Sequence, residues 1–191
     1  MIKKFELDLS SKITSFGIEL FRVKALISFG DVKKGDLGGY VEKEENLSHS
    51  GGAWIYGDTW VTGDAKVFGD AEVFGDAWVH GNAKVYGNAK VYGEARVCGD
   101  AVVSGNAKVF GDAVVSGNAK VSKLNDYIVF KNNWSSGRYF TYTRSNKMWR
   151  VGCFYGTGEE LVEKAYQDSE NSGKHYEAYV NLVKTLEKLE K

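Results

Sequence analysis

From Trp54 onward a branched aliphatic residue recurs every sixth position for twelve hexads: Ile55, Val61, Val67, Val73, Val79, Val85, Val91, Val97, Val103, Val109, Val115 and Val121. Behind each of the first eleven come Gly two places on, Asp, Asn or Glu three places on, and Ala or Thr four places on. A period of six is far from any multiple of 3.6, so no helix face can collect these residues. It suits a short extended triplet with valine inward and its neighbours outward, followed by a tight corner. Gly-Asp and Gly-Asn are expected to turn that corner, both residues tolerating left-handed backbone, with the small alanine inside the bend.

The units Val-Tyr-Gly-Asn-Ala and Val-Phe-Gly-Asp-Ala resemble the hexapeptide repeat of left-handed parallel β-helices. That resemblance implies three hexads per triangular coil, so that positions eighteen apart stack. Folded this way, one outer face carries Tyr56, Phe74, Tyr92 and Phe110 behind its inward residues. A second carries Thr62, His80, Cys98 and Ser116, and a third Phe68, Tyr86, Ser104 and Ser122. The aromatic column is either a ladder of stacked rings or an interface, since contiguous exposed apolar surface usually has a partner. Hexapeptide β-helices are generally trimers, so the resemblance implies a homotrimer. Trp54, Trp60 and Trp78 are expected to face outward near one end and to offer a surface to a host protein.

Both ends of such a solenoid need covering, because an open end is a row of unpaired backbone groups. Upstream, Phe21–Ile27 alternates like a strand, Gly30, Gly35 and Gly38-Gly39 mark turns, and Val41 and Leu47 look like a degenerate first coil. Downstream, strands are expected at Tyr127–Phe130, Tyr139–Arg144 and Met148–Val151. Thr157-Gly-Glu-Glu160 has the form of a capping box opening a helix to about Asp168. A second helix is expected from about Gly173, with Tyr176, Tyr179, Val180, Val183 and Leu186 on one face. The expected fold is mainly β: a strand-rich cap over 1–53, a left-handed parallel β-helix over 54–122, and a small β-strand plus two-helix domain over 123–191. Together with Gly35–Val41, Asn46-Leu-Ser48 and Gly152–Thr157, this layout is similar to hexapeptide-repeat proteins of bacteriophage and prophage genomes. The similarity implies an accessory phage product acting in the cytoplasm of a bacterial host.

Charge changes the picture in one place. The whole chain balances 25 basic against 25 acidic residues, which announces neither a long nucleic acid nor a membrane as partner. Residues 122–157, however, hold Lys123, Lys131, Arg138, Arg144, Lys147 and Arg150 against Asp126 alone. No apolar run reaches the length of a bilayer span, and the start lacks the pattern of a secretory signal. Two cysteines, Cys98 and Cys153, make no disulfide framework.

Catalytic chemistry finds little support. Acyltransferases with this repeat resemble one another in using a histidine base, and His80 is the only histidine in the regular coils, with no carboxylate on its face to orient it. A zinc site of three histidines would need His49, His80 and His175 to converge from three separate elements. The regular aspartates do not indicate calcium, because Asn82, Asn88, Asn106 and Asn118 take the same place. A non-enzymatic protein without a cofactor is expected, with a hexapeptide-repeat acyltransferase using His80 as base kept as a third reading. The tail offers more: Trp134, Ser135, Ser136 and Arg138, with a glycine between, then Tyr139, Arg144, Lys147, Trp149 and Arg150, and Thr157 at a helix start whose free N–H groups favour anions. Basic residues interleaved with aromatics suit a small anionic ligand of nucleotide type. The competing reading is that these cations pair with the acidic helices that follow.

Overall fold

The computed structural model describes residues 2–189, which divide into two compact units between Asp126 and Tyr127. The first opens with a hairpin, β1 (Phe5–Ser15) and β2 (Ile18–Ala25), whose tip is Phe16-Gly17. β2 pairs antiparallel with β3 (Leu37–Val41). Twelve two-residue strands follow at six-residue intervals, from β4 (Trp54–Ile55) to β15 (Lys120–Val121). They stack in parallel with partners eighteen residues apart, as in Val73, Val91 and Val109, and make a β-solenoid of about five turns. The inward aliphatic residue of each hexad is buried, and so is every alanine of the coils, whereas the flanking Val102 and Val114 are partly exposed. The hydrophobic period therefore fills the interior, and polar residues flank it on the outside.

The corners refine the expectation. Glycine alone takes the left-handed conformation there, and the Asp or Asn behind it does not. At Gly75 φ is +76°, and a Cβ would stand 2.9 Å from the amide nitrogen of Gly93 in the next coil. Coil spacing and backbone hand thus both demand glycine. The following side chain works between coils instead: Asn82 Nδ2 donates to Asp100 Oδ1 at 3.0 Å, and Asn88 Nδ2 to Asn106 Oδ1 at 3.4 Å.

The degenerate first coil is part of the solenoid. Val41 pairs with Val61 and Leu47 with Val67, while Ile55 pairs with Val73. The step from Leu47 to Ile55 is two residues longer than a hexad, and the excess is taken up by Ser48–Gly52. Asn46 plugs the interior there, donating to the carbonyls of Gly63 (3.0 Å) and Ala65 (2.9 Å). Trp54, expected to face outward, is buried edge-on against Phe5 and Phe29, because the hairpin folds over it. Trp60 and Trp78 do remain partly exposed.

In the second unit β16 (Tyr127–Lys131), β17 (Tyr139–Thr143), β18 (Met148–Val151) and β19 (Phe154–Gly156) form an antiparallel meander. The helices α1 (Gly158–Asp168) and α2 (Glu170–Leu189) follow. Alternate residues Phe140, Tyr142, Trp149 and Val151 pack with Leu161, Ala165, Tyr176, Val180 and Val183 into one core. α2 begins before Gly173; that glycine is a contact, since a Cβ on it would strike the Tyr166 ring at 2.2 Å.

Candidate anion pocket in the second unit

β17 separates the basic residues of the tail into two groups. Arg138 and Arg144 flank its two ends, roughly 20 Å apart at strand rise. Trp134, Ser135, Ser136 and Arg138 lie on the β16–β17 loop at one end, and Arg144 and Lys147 bound the β17–β18 turn at the other.

The loop is organised around buried Asn132. Its Oδ1 accepts from the amides of Trp134 and Ser135 (both 3.2 Å), and its Nδ2 donates to Ser135 Oγ at 2.6 Å and Ser136 Oγ at 3.4 Å. The Gly137 amide donates to the Asn132 carbonyl at 2.7 Å. Those amides are thus spent on the loop itself. Trp134 stands 77% exposed. Tyr139 carries the Lys131 ammonium 5.0 Å over its ring.

Two more expected residues are also turned away from a common site. Trp149 faces the helices and is buried among Phe140, Tyr142 and Phe130, so it offers no stacking surface. Arg150 pairs across the sheet with Thr141 and Tyr155 on the opposite face. Its Nε is buried with no hydrogen-bond partner among the described residues. Thr157 caps α1 in a closed capping box: Glu160 N–H donates to Thr157 Oγ1 at 3.2 Å, and the Glu160 carboxylate accepts from Thr157 N–H at 2.7 Å. With Glu159 and Glu160 in its first turn, this helix start is already supplied with negative charge.

What the fold brings together is Arg144 and Lys147 with the last turns of α2. A pocket of about 340 Å³ is lined by Arg144, Lys147, Lys184, Glu187 and Lys188. Lys184 and Lys188 are one helical turn apart and so share an edge of α2. Lys184 Nζ also reaches Glu159 at 2.7 Å, which holds that carboxyl below its usual range. Glu187, the one carboxylate lining the pocket among the described residues, accepts a hydrogen bond from the Tyr142 hydroxyl at 2.6 Å. Burial, and then Glu187 itself, pushes the Tyr142 phenol well above its ordinary value. Lys147 sits at φ +56°, a left-handed conformation that a non-glycine residue adopts at a cost of about 1 kcal/mol.

Sequence reading missed Lys184, Glu187 and Lys188. A signal was present in the four-residue spacing of Lys184 and Lys188, but nothing in the sequence says that this edge meets the β17–β18 turn. No group of three or more His, Cys, Asp or Glu able to hold a metal ion occurs among the described residues, and none of their helices is long and apolar enough to cross a membrane. The three histidines lie apart: His49 in the first coil, His80 beside Trp78, and His175 in α2 with Nδ1 2.8 Å from the Asn171 carbonyl. No protein family matches this chain, and no curated protein matches it.

Proposed function

We propose that this chain is a non-catalytic binding protein whose solenoid is a rigid body and whose second unit holds a small anion of phosphate or nucleotide type. The observation that carries the reading is the convergence of Arg144, Lys147, Lys184 and Lys188 on one pocket, whose one lining carboxylate among the described residues, Glu187, is engaged by Tyr142. With Glu159, the partner of Lys184, counted beside Glu187, four cations face two carboxylates among the described residues, which leaves an excess of positive charge. Guanidinium and ammonium groups recognise phosphate oxygens by charge-assisted hydrogen bonds. The volume suits a compact ligand. The likeness of the repeat and its flanks to phage hexapeptide-repeat proteins supports a homotrimeric accessory protein in the bacterial cytoplasm, which would sequester a nucleotide signal used in host immunity. Calorimetry with pyrophosphate, ADP-ribose and cyclic nucleotides tests it. Binding that weakens with salt, and about ten-fold or more in the Arg144→Ala/Lys147→Ala protein, is the expected result. No heat from any of these ligands ends the reading.

A second reading, an inhibitor or scaffold that contacts a host protein through a flat face, is favoured by one cluster. Phe16, 86% exposed at the hairpin tip, stacks on Trp78 at 6.4 Å, and Trp78 meets Trp60 edge-on at 6.1 Å. Capture of a host protein by the wild type and equally by a Phe16→Ala/Trp60→Ala/Trp78→Ala protein would remove that support.

A further inference from the structure

The third face of the solenoid carries an interrupted aromatic ladder. Phe68 and Tyr86 stack with ring centroids 4.8 Å apart and planes 12° from parallel. Their amides hold the same place in consecutive coils, Phe68 N–H donating to the Val85 carbonyl at 3.0 Å and Tyr86 N–H to that of Val103 at 2.9 Å. One coil earlier the equivalent amide belongs to Ser48, which donates to the Val67 carbonyl at 2.9 Å. A serine therefore stands where the next ring of the column would be, and one side of the Phe68 ring looks onto a groove.

That groove has a volume of about 870 Å³. Leu47 and Val67 contribute apolar lining, Phe68 a flat wall, and Glu45, Ser50 and Lys66 polar rims. The longer step between Leu47 and Ile55 opens this corner. The remaining wall is fixed: His49 Nδ1 accepts from the Lys4 amide at 3.2 Å, and its Nε2 lies 2.7 Å from Glu44 Oε1. His49 is thereby committed at both nitrogens and serves as a buttress, with its ring stacked on Phe5 at 4.2 Å.

We propose that this groove binds a planar, uncharged heteroaromatic ring with both hydrogen-bond donors and acceptors on its edge, the chemistry of a nucleobase, stacked on Phe68 as the missing rung. The coil spacing sets the place of the next rung, and a planar π-face fills it without sequence-specific contacts. The rims select the class. Glu44 and Glu45 offer acceptors, Lys66 a donor and Ser50 either, so an ion of either sign meets its like in the lining, whereas a neutral ring with mixed edges satisfies both. This site lies in the first unit and is independent of the anion pocket.

Guanosine and adenosine are suitable probes because they lack the phosphate that the other pocket would take. Titration followed by ¹H–¹⁵N NMR is expected to show saturable, millimolar or tighter binding, with shifts confined to residues 44–52 and 66–69. Phe68→Ala weakens binding at least five-fold. Ser48→Phe supplies the rung from the chain itself, abolishing nucleoside binding while leaving the folded spectrum intact. Absence of shifts with both nucleosides, equal shifts from ribose alone, or wild-type binding by a folded Ser48→Phe protein overturns the proposal.

Discussion

The Tyr142 hydroxyl donates a 2.6 Å hydrogen bond to the Glu187 carboxylate, joining a buried strand residue of β17 to the end of α2. This bond fixes where the helix edge meets the β17–β18 turn, and so where Lys184 and Lys188 stand relative to Arg144 and Lys147. Removing the donor in Tyr142→Phe leaves the ring packing and strips Glu187 of a charge-assisted partner. A loss of about 1.5–3 kcal/mol in unfolding free energy is expected for a bond of this type. Anion affinity should also fall, since Glu187 is then freer to pair with the pocket lysines.

The same bond predicts an alkaline limb. A phenol whose folded value is raised above its unfolded one, ordinarily about 10, contributes stability that is complete below that value and lost as pH rises above it. Urea unfolding between pH 9 and about 11 should therefore show a decline in the wild type that is shallower in Tyr142→Phe. Equal slopes in the two proteins would mean that the bond does not hold in solution.

Lys4 works in the opposite direction. Its ammonium is buried in the cap, donating to the carbonyls of Ala53 (2.7 Å) and Gly51 (3.2 Å) and lying 4.8 Å from the Phe29 ring centroid. Burial lowers its pKa to about 8, against about 10.4 for an unperturbed lysine. Between those values the unfolded chain holds more protons than the folded one, so this group makes stability rise with pH across that window. In Lys4→Met the rise disappears. Comparing the two proteins at pH 7.5, 9 and 10 measures it, and a Lys4→Met profile parallel to the wild type would contradict the assignment.

The solenoid was legible because one physical requirement, filling a narrow interior, writes itself on every sixth residue without regard to anything distant. The helix pair was legible for a similar reason, Tyr176, Val180 and Val183 sharing a face of α2, although Leu186 on the same stripe is 38% exposed. The site was not legible in this way. Arg138, Arg144 and Arg150 lie within thirteen residues of one another, yet two sit at opposite ends of a strand and the third on the face away from the helices. Nearness in sequence implies nearness in space within a helix turn or across a short hairpin, and not along an extended strand. Trp54 shows the same limit: its repeat position predicts an outward side chain, and only the long-range fold of the hairpin buries it.

The corners of the solenoid separate two effects of glycine. Gly75 and Gly111 both have positive φ, +76° and +65°, but only the first has a neighbour, the Gly93 amide nitrogen, within contact of a would-be Cβ. Gly111→Ala should cost only the left-handed backbone strain, about 1–2 kcal/mol. Gly75→Ala adds a steric clash with the next coil and should lower the melting temperature by several degrees more. Similar melting temperatures for the two variants would show that coil spacing relaxes to admit a methyl group.

One corner column differs from the others in charge. Asp58, Asp76, Glu94 and Asp112 stack along it, whereas asparagine alternates with aspartate at Asp64, Asn82, Asp100 and Asn118. Arg22 meets Asp58 at 2.8 Å, and the carboxylates beyond it face like charge at each coil spacing. Asp76→Asn should raise stability by at most about 1 kcal/mol, and the gain should shrink in high salt. A gain that is unchanged by salt would assign it to turn geometry rather than to charge.

The pocket's strained member gives the sharpest test of the functional reading. Lys147 holds φ at +56° in a four-residue turn where glycine or asparagine would be favoured, and unusual backbone retained by a side chain with no core role is expected where that side chain has work to do. Lys147→Gly removes the strain and one of the four converging cations. The folded state should gain about 0.5–1 kcal/mol, while anion affinity falls several-fold. Stability and binding would then move in opposite directions on a single substitution, measured by urea unfolding and by calorimetry with pyrophosphate. If pyrophosphate binds Lys147→Gly as tightly as the wild type, the ammonium of Lys147 is not a ligand and the pocket loses its strongest argument.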